Sequence, residues 1–278
     1  MDRLRHPIVI ALWAASLLLV RAAAGASLES PEQAGLRQAG DHVFVDPDMP
    51  REQVESAIDL VDQARKRAGI FYGELVAHPK IVFCASSGCY REFGAVGLGY
   101  TDGRNLVISP YGRRVAIIAH ELAHVEFAAR IGGFAKVLKA IPQWFDEGQA
   151  VMVSMAEEFS EEAWMSATHD GKDAPDLDSL AAMNDWLRLT GAGGENMQLT
   201  YGTARHEVNR WFGRCGQSGF QALLAALYDG QAFAETYARM EAGHAQPAMP
   251  SHAERPASDD FTVQPAGTSP DYLSRIAW

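Results

Sequence analysis

The chain has 278 residues, 47% of them hydrophobic, and a formal net charge of -11 at pH 7. That length and apolar content exclude a disordered protein and suit one large domain or two small ones. The acidic balance, with no basic cluster interleaved with aromatics, argues against nucleic acid as a partner.

Arg3 and Arg5 precede an apolar run at 8–20 and then Ala22, Ala23, Ala24, Gly25 and Ala26, the order of a secretory signal peptide spanning 1–26. The run is shorter than the roughly 20 residues a bilayer span needs. The chain is therefore expected to be exported, periplasmic or secreted, with no stable membrane insertion once the leader is cut; an uncleaved N-terminal anchor is the alternative. Cleavage removes Asp2, Arg3, Arg5 and Arg21 and moves the formal charge to -13.

Residues 27–40 are small, polar and turn-rich and read as a linker, with order expected from Asp41. Residues 42–45 read as a strand. Asp48 and Pro50 open a helix whose apolar positions Val54, Ile58, Val61 and Ala64 or Ala68 repeat at helical spacing as far as Gly69. Residues 79–84 are rich in β-branched and aromatic side chains and read as a buried second strand. Of the three cysteines, Cys84, Cys89 and Cys215, the first two are the pair whose intervening residues can turn the chain back into a disulfide; the alternative is two buried small hydrophobes. Residues 88–94 read as a loop or short helix. Residues 97–100 and 105–109 flank Thr101-Asp102-Gly103-Arg104, whose Asp-Gly pair signals a hairpin.

The hairpin leads into His120-Glu121-Leu122-Ala123-His124. Ser109 is placed to cap this helix, Pro110 to fill its first turn, and Gly132-Gly133 to stop it near Ile131. Val115, Ile118, Leu122 and Val125 make one apolar stripe, and Ala116, Ala119, Ala123 and Phe127 flank the histidines, so the helix is apolar on most faces and buried. Helix positions four apart point the same way within about 40°. Both imidazoles can therefore address one ion while Glu121 reaches a water beside it. A lone buried histidine is more often a core residue held by a hydrogen bond. Chance supplies His-Glu-x-x-His in a chain of this composition only about 2% of the time, and a buried Glu121 with no cation nearby would be costly. A metal site accounts for all three residues.

Catalytic zinc takes three protein ligands and keeps a fourth position for water. After a short segment at 134–141, Pro142 opens a second helix in which Glu147 is the third ligand. Trp144 and Val151, at helical spacing on either side, put its carboxylate on an apolar face. Gly148 costs about 1 kcal/mol relative to Ala in a helix interior, a cost that close approach of the first helix would explain.

His120-Glu121-Leu122-Ala123-His124 followed by Pro142-Gln143-Trp144-Phe145-Asp146-Glu147-Gly148-Gln149-Ala150 resembles the gluzincin metallopeptidases, most closely the bacterial peptidase MA-like families. The second motif of those families runs Trp-Phe or Trp-Leu, any residue, Glu-Gly, any residue, Ala. The match covers residues 105–155, with a looser likeness after Leu199. The resemblance implies a zincin-like α+β fold: a small N-terminal sheet with the active-site helix, and a helical C-terminal half. It makes His120, His124 and Glu147 zinc ligands, and Glu121 the general base for a zinc-activated water that hydrolyses a peptide bond. Gluzincins place a Tyr or His on a later helix to stabilise the oxyanion. Here Tyr201 is the preferred choice and His206 the lesser one, about 140° apart around a helix. Zincin edge strands hold extended substrate, and residues 105–109 are the candidate rail. One departure stands out. Thermolysin-type members carry an Asp four residues after the ligand Glu to orient a histidine; that place is Val151 here, and Asp146, the nearest substitute, occupies a position that suits a surface residue.

Residues 156–198 mix Trp164, Met165, Trp186 and Leu187 with acidic residues and glycines and are expected to wall the cleft. Residues 200–212, 218–228 and 232–240 read as three core helices broken at Gly213, Gly216 and Gly230. At 243–278, Pro, Ala, Ser and His prevail, the composition of a disordered tail, so His244 and His252 are not ligands. The expectation is a peptidase domain at 41–242 that uses Zn2+ and acts on a peptide or protein substrate outside the cytoplasm. Two alternatives stand beside it: a zinc-bound zincin-fold binding protein without catalysis, and a zinc hydrolase of a cell-wall or other non-peptide amide. The intact Glu121 favours the enzyme.

Overall fold

A computed structural model of the chain describes residues 30–191 and 195–243. The expected leader at 1–26, and the expected tail beyond Gly243, lie outside the described residues. No described helix is long and apolar enough to cross a membrane.

β1 (Arg37–Gly40) pairs antiparallel with β2 (Val43–Val45), and the chain turns at Asp41 and His42, the latter at φ 55°. β1 thus falls inside the stretch expected to be a linker. It escapes the sequence pattern because it is an edge strand, exposed to half-buried along its length, and carries no apolar alternation. α1 (Arg51–Tyr72) crosses to β3 (Lys80–Phe83), which lies parallel to β2, and α2 (Ser87–Glu92) follows. β4 (Gly99–Thr101) and β5 (Asn105–Ile108) form the expected hairpin. β5 runs parallel to β3 and β4 lies outermost, giving the order β1-β2-β3-β5-β4.

Side chains alternate across the sheet between two cores, as the period of two requires. Val43, Val45, Ile81, Phe83, Leu106 and Ile108 join the main core with the helices, while Phe44, Val82 and Val107 face a smaller one closed by Tyr90, Phe93 and Ala95. The expected disulfide, Cys84 to Cys89, ties the end of β3 to α2 beside that smaller core, and Cys215 is a buried free thiol.

α3 (Val115–Ile131) packs on α1, β4 and β5. It starts later than Ser109 and Pro110 lead one to expect. Ser109 N–H instead donates to Leu98 O at 2.9 Å, prolonging the β-ladder, and Gly112 passes so close that a Cβ there would lie 2.0 Å from the same carbonyl oxygen. The helix opens only after Arg114, whose backbone is extended. It ends where expected, at a left-handed Gly132 with φ 104°.

α4 (Phe134–Ala140) leads to α5 (Gln143–Ser154), with Pro142 at its N-terminal boundary. Two 3-10 turns, Glu157–Phe159 and Leu177–Leu180, alternate with α6 (Glu161–Ala167) and α7 (Met183–Thr190). α8 (Glu195–Tyr228) is two helices that meet at Gly216, whose φ 66° and ψ -174° are not helical and break the run at an expected position, and α9 (Phe233–Gly243) ends the described chain. The fold is mixed α+β, with α1 and α2 set between the strands of a small N-terminal sheet and the remaining helices after it.

α5 is the central helix, lying against α1, α3 and α8. Gly148 marks its closest approach, to α8 rather than to α3 as expected: a Cβ at Gly148 would sit 2.4 Å from Ala204 O and 2.8 Å from Val208 Cγ2. Gly148→Ala should therefore destabilise the protein by roughly 3 kcal/mol, at the upper end of overpacking. Gly213→Ala, in α8 with nothing within 4 Å of its added Cβ, should stabilise by up to about 1 kcal/mol through helix propensity. Urea denaturation of the two variants checks both signs.

Candidate metal centre

One turn of α3 sets His120 and His124 on the same side, and both are 2% exposed. Their Nε2 atoms lie 3.1 Å apart with the rings edge to face. α5 brings in Glu147, which has no exposed surface. Gln143, one turn earlier, donates from Nε2 to Glu147 Oε1 at 2.9 Å and so orients the carboxylate. The other oxygen, Oε2, faces the imidazoles at 3.3 Å from His120 Nε2 and 3.7 Å from His124 Nε2. These three residues form a buried group that can hold a metal ion. A proton shared between two of such atoms satisfies one pair at a time, whereas one cation satisfies all three.

The electrostatics agree with that geometry. Burial by itself favours a neutral Glu147, but the His120 and His124 imidazoles outweigh it and bring the carboxyl down to about 2. Burial likewise opposes a charged His124, and Asp146 and Glu147 outweigh it, raising the imidazole well above its ordinary range.

Asp146 corrects the sequence reading. It is 8% exposed rather than a surface residue, and its Oδ1 lies 3.1 Å from His124 Nδ1. The two atoms are in contact without a well-aligned N–H···O bond, and the contact turns Nδ1 toward Asp146 and leaves Nε2 facing Glu147. Val151, where a carboxylate was sought, is a fully buried core residue. The acidic neighbour of His124 comes from the residue just before Glu147 instead of one turn after it.

Glu121 is 4% exposed and packs under the edge of the sheet. A Cβ on Gly99 of β4 would lie 2.7 Å from Glu121 Cγ and 2.9 Å from Oε1, so the bare glycine makes room for this carboxylate. The other buried glutamate of α3, Glu126, belongs elsewhere: it accepts from Val76 and Ala77 N–H and pairs with Arg130 at 2.6 Å, tying the loop after α1 to α3.

Tyr201 comes to the same place from α8, 1% exposed and with its ring centroid 6.3 Å from that of His120. It stacks on Phe159 and meets the edge of Trp186. Burial, followed by the charge of Glu147, pushes its phenol far up, so it keeps its proton. His206 is not brought in; it stacks on Trp164 and bonds Glu161 at 2.7 Å. β5 is paired on both sides, so residues 105–109, the expected rail, present no sheet edge; the edge strand beside it is β4.

Gln143 and Gly99 carry parts of the site that sequence reasoning passed over. Gln143 had a signal, four residues before Glu147 on the same helix face. Gly99 had none, because only the fold sets it over Glu121.

Asp146→Asn keeps the side-chain volume and removes the charge facing His124. It should weaken binding of a divalent metal about 10- to 100-fold, measured by competition with a chromogenic chelator.

No family model, no curated protein and no solved structure matches this chain, so the site is interpreted on its own geometry.

Proposed function

We propose that the chain is an exported zinc metallopeptidase of gluzincin type, with a zincin-like arrangement of its helices and sheet. The observation that carries the reading is the triangle of His120 Nε2, His124 Nε2 and Glu147 Oε2, with sides of 3.1, 3.3 and 3.7 Å. Ligand atoms about 2.0 to 2.2 Å from a tetrahedral zinc stand roughly 3.3 to 3.5 Å from one another, so the donor set and its spacing both suit that ion. The sheltered Glu121 and the protonated Tyr201 beside the triangle add the two further groups that amide hydrolysis requires.

His120, His124 and Glu147 would hold the zinc, which would supply Lewis acidity to polarise a carbonyl and lower the pKa of water. Glu121 takes the proton of the attacking water and can return it to the leaving amine. Tyr201, kept protonated by its surroundings, donates to the carbonyl oxygen as negative charge develops on it. The outer edge of β4 offers backbone hydrogen bonds to an extended peptide passing Glu121.

A second reading, a zinc-holding protein of the same fold without catalysis, draws on one observation. His120, Glu121, His124, Glu147 and Tyr201 are all between 0 and 4% exposed. A substrate reaches them only when neighbouring cover, including Phe159 against Tyr201, moves aside.

Purified protein should hold about one equivalent of zinc, from the single three-ligand site, and lose it when His120, His124 and Glu147 are replaced together; elemental analysis reads both, and full zinc retention in the triple variant excludes this site. In a peptide-library digest, Glu121→Gln should keep its zinc and lose at least about 100-fold in turnover, the scale of general-base catalysis. Gly99→Ala, which crowds Glu121, should also retain zinc and turn over more slowly. Equal turnover by wild type and Glu121→Gln, or none by either on peptides, counts against peptidase chemistry.

A further inference from the structure

We infer that Gln149 and Tyr72 form a fixed hydrogen-bonded chain that holds Asp146 against His124, turning the ring so that Nδ1 faces Asp146 and Nε2 faces the metal site. The inference rests on the metal-site reading above and extends it to a third helix.

The links are on three elements. Gln149 of α5 is fully buried, and its Nε2 donates to Asp146 O at 2.8 Å and to Asp146 Oδ1 at 3.4 Å. Its Oε1 accepts from the Tyr72 hydroxyl at the end of α1. Tyr72 is 2% exposed, and its hydroxyl also lies 3.3 Å from Ala123 O, the residue before His124. Asp146 Oδ1 then meets His124 Nδ1 at 3.1 Å.

The direction of every donor follows from the chemistry of the groups. The amide NH2 of Gln149 faces two oxygens of Asp146, which are acceptors only, so the amide cannot be reversed. Its oxygen must therefore face Tyr72, which has to donate. Burial, and then the charges of Asp146 and Glu126, push the Tyr72 phenol far up, so it retains the proton that this role needs. With Gln149 anchoring Oδ1, Asp146 is kept 3.1 Å from His124 Nδ1, and that contact sets which edge of the ring faces the metal site. Gln149 and Tyr72 touch neither the three ligand atoms nor Glu121 in these bonds. They are positioning residues.

The test compares wild type with Gln149→Leu and Tyr72→Phe in the full chain, using 15N-histidine-labelled protein. In wild type, the His124 Nδ1–H proton should exchange slowly with water, both without metal and with zinc. Gln149→Leu should speed that exchange at least about 10-fold and weaken zinc binding about 10- to 100-fold, and Tyr72→Phe, which removes one hydroxyl, should shift both in the same direction by less. A purely structural role lowers the urea midpoint and leaves Nδ1–H exchange and zinc affinity unchanged in both variants, and that result overturns the inference. If wild type binds no zinc, the metal reading fails, while Nδ1–H exchange in the metal-free protein still decides for or against the chain.

Discussion

The structure turns on a carboxylate buried where no water reaches it. Glu147 lies in the middle of a helical core, and an isolated charge there would cost many kcal/mol or be neutralised by a shifted pKa. Its setting answers that problem on two sides: Gln143 holds one oxygen and the two imidazoles face the other. Everything near the centre serves that arrangement. α3 supplies both imidazoles from one turn, α5 supplies the carboxylate with its amide and its acidic neighbour, and α8 closes the third side with Tyr201.

Much of this was legible in the sequence, for identifiable reasons. The His120 to His124 spacing is a local property of one helix, so no tertiary information is needed to see it. Glu147 announced itself through the apolar neighbours Trp144 and Val151, and the hairpin through Asp102 and Gly103. Cys84 and Cys89 are close enough in the chain, with residues that can turn it back, to stand out as the pair over two buried thiols, and the structure bridges them. What escaped depends on contacts between distant segments. Asp146 looks like an exposed helix residue until α3 lies across it, and Tyr72 stands 52 residues before His124. The start of α3 was misplaced because Ser109 and Pro110 have good local capping chemistry, while the ladder bond from Ser109 to Leu98 outweighs it. β1 was hidden by its polar edge position.

The same layering separates what is chemically specified from what is mechanically specified. The donors His120, His124 and Glu147 are fixed by residue type, since few other side chains could hold a cation in their places. Their orientation is fixed by ordinary packing and amide hydrogen bonds, in which Gly99, Gln143 and Gln149 matter through shape and polarity. A group organised this way is already converged, so an ion taken up there would meet its donors in place instead of gathering them.

The contact between Gly148 and Ala204 has a consequence of this kind for distances within the site. Gly148 follows Glu147 directly, and Ala204 lies one helical turn beyond Tyr201. The spacing of Glu147 from Tyr201 is therefore referenced in part to main chain against main chain, with the Val208 side chain also in the contact. Repacking elsewhere in the core can alter volume and stability while this dimension stays put, much as a machined part keeps its tolerance from a datum face. The bare glycine is the gauge against which the two halves of the site are set.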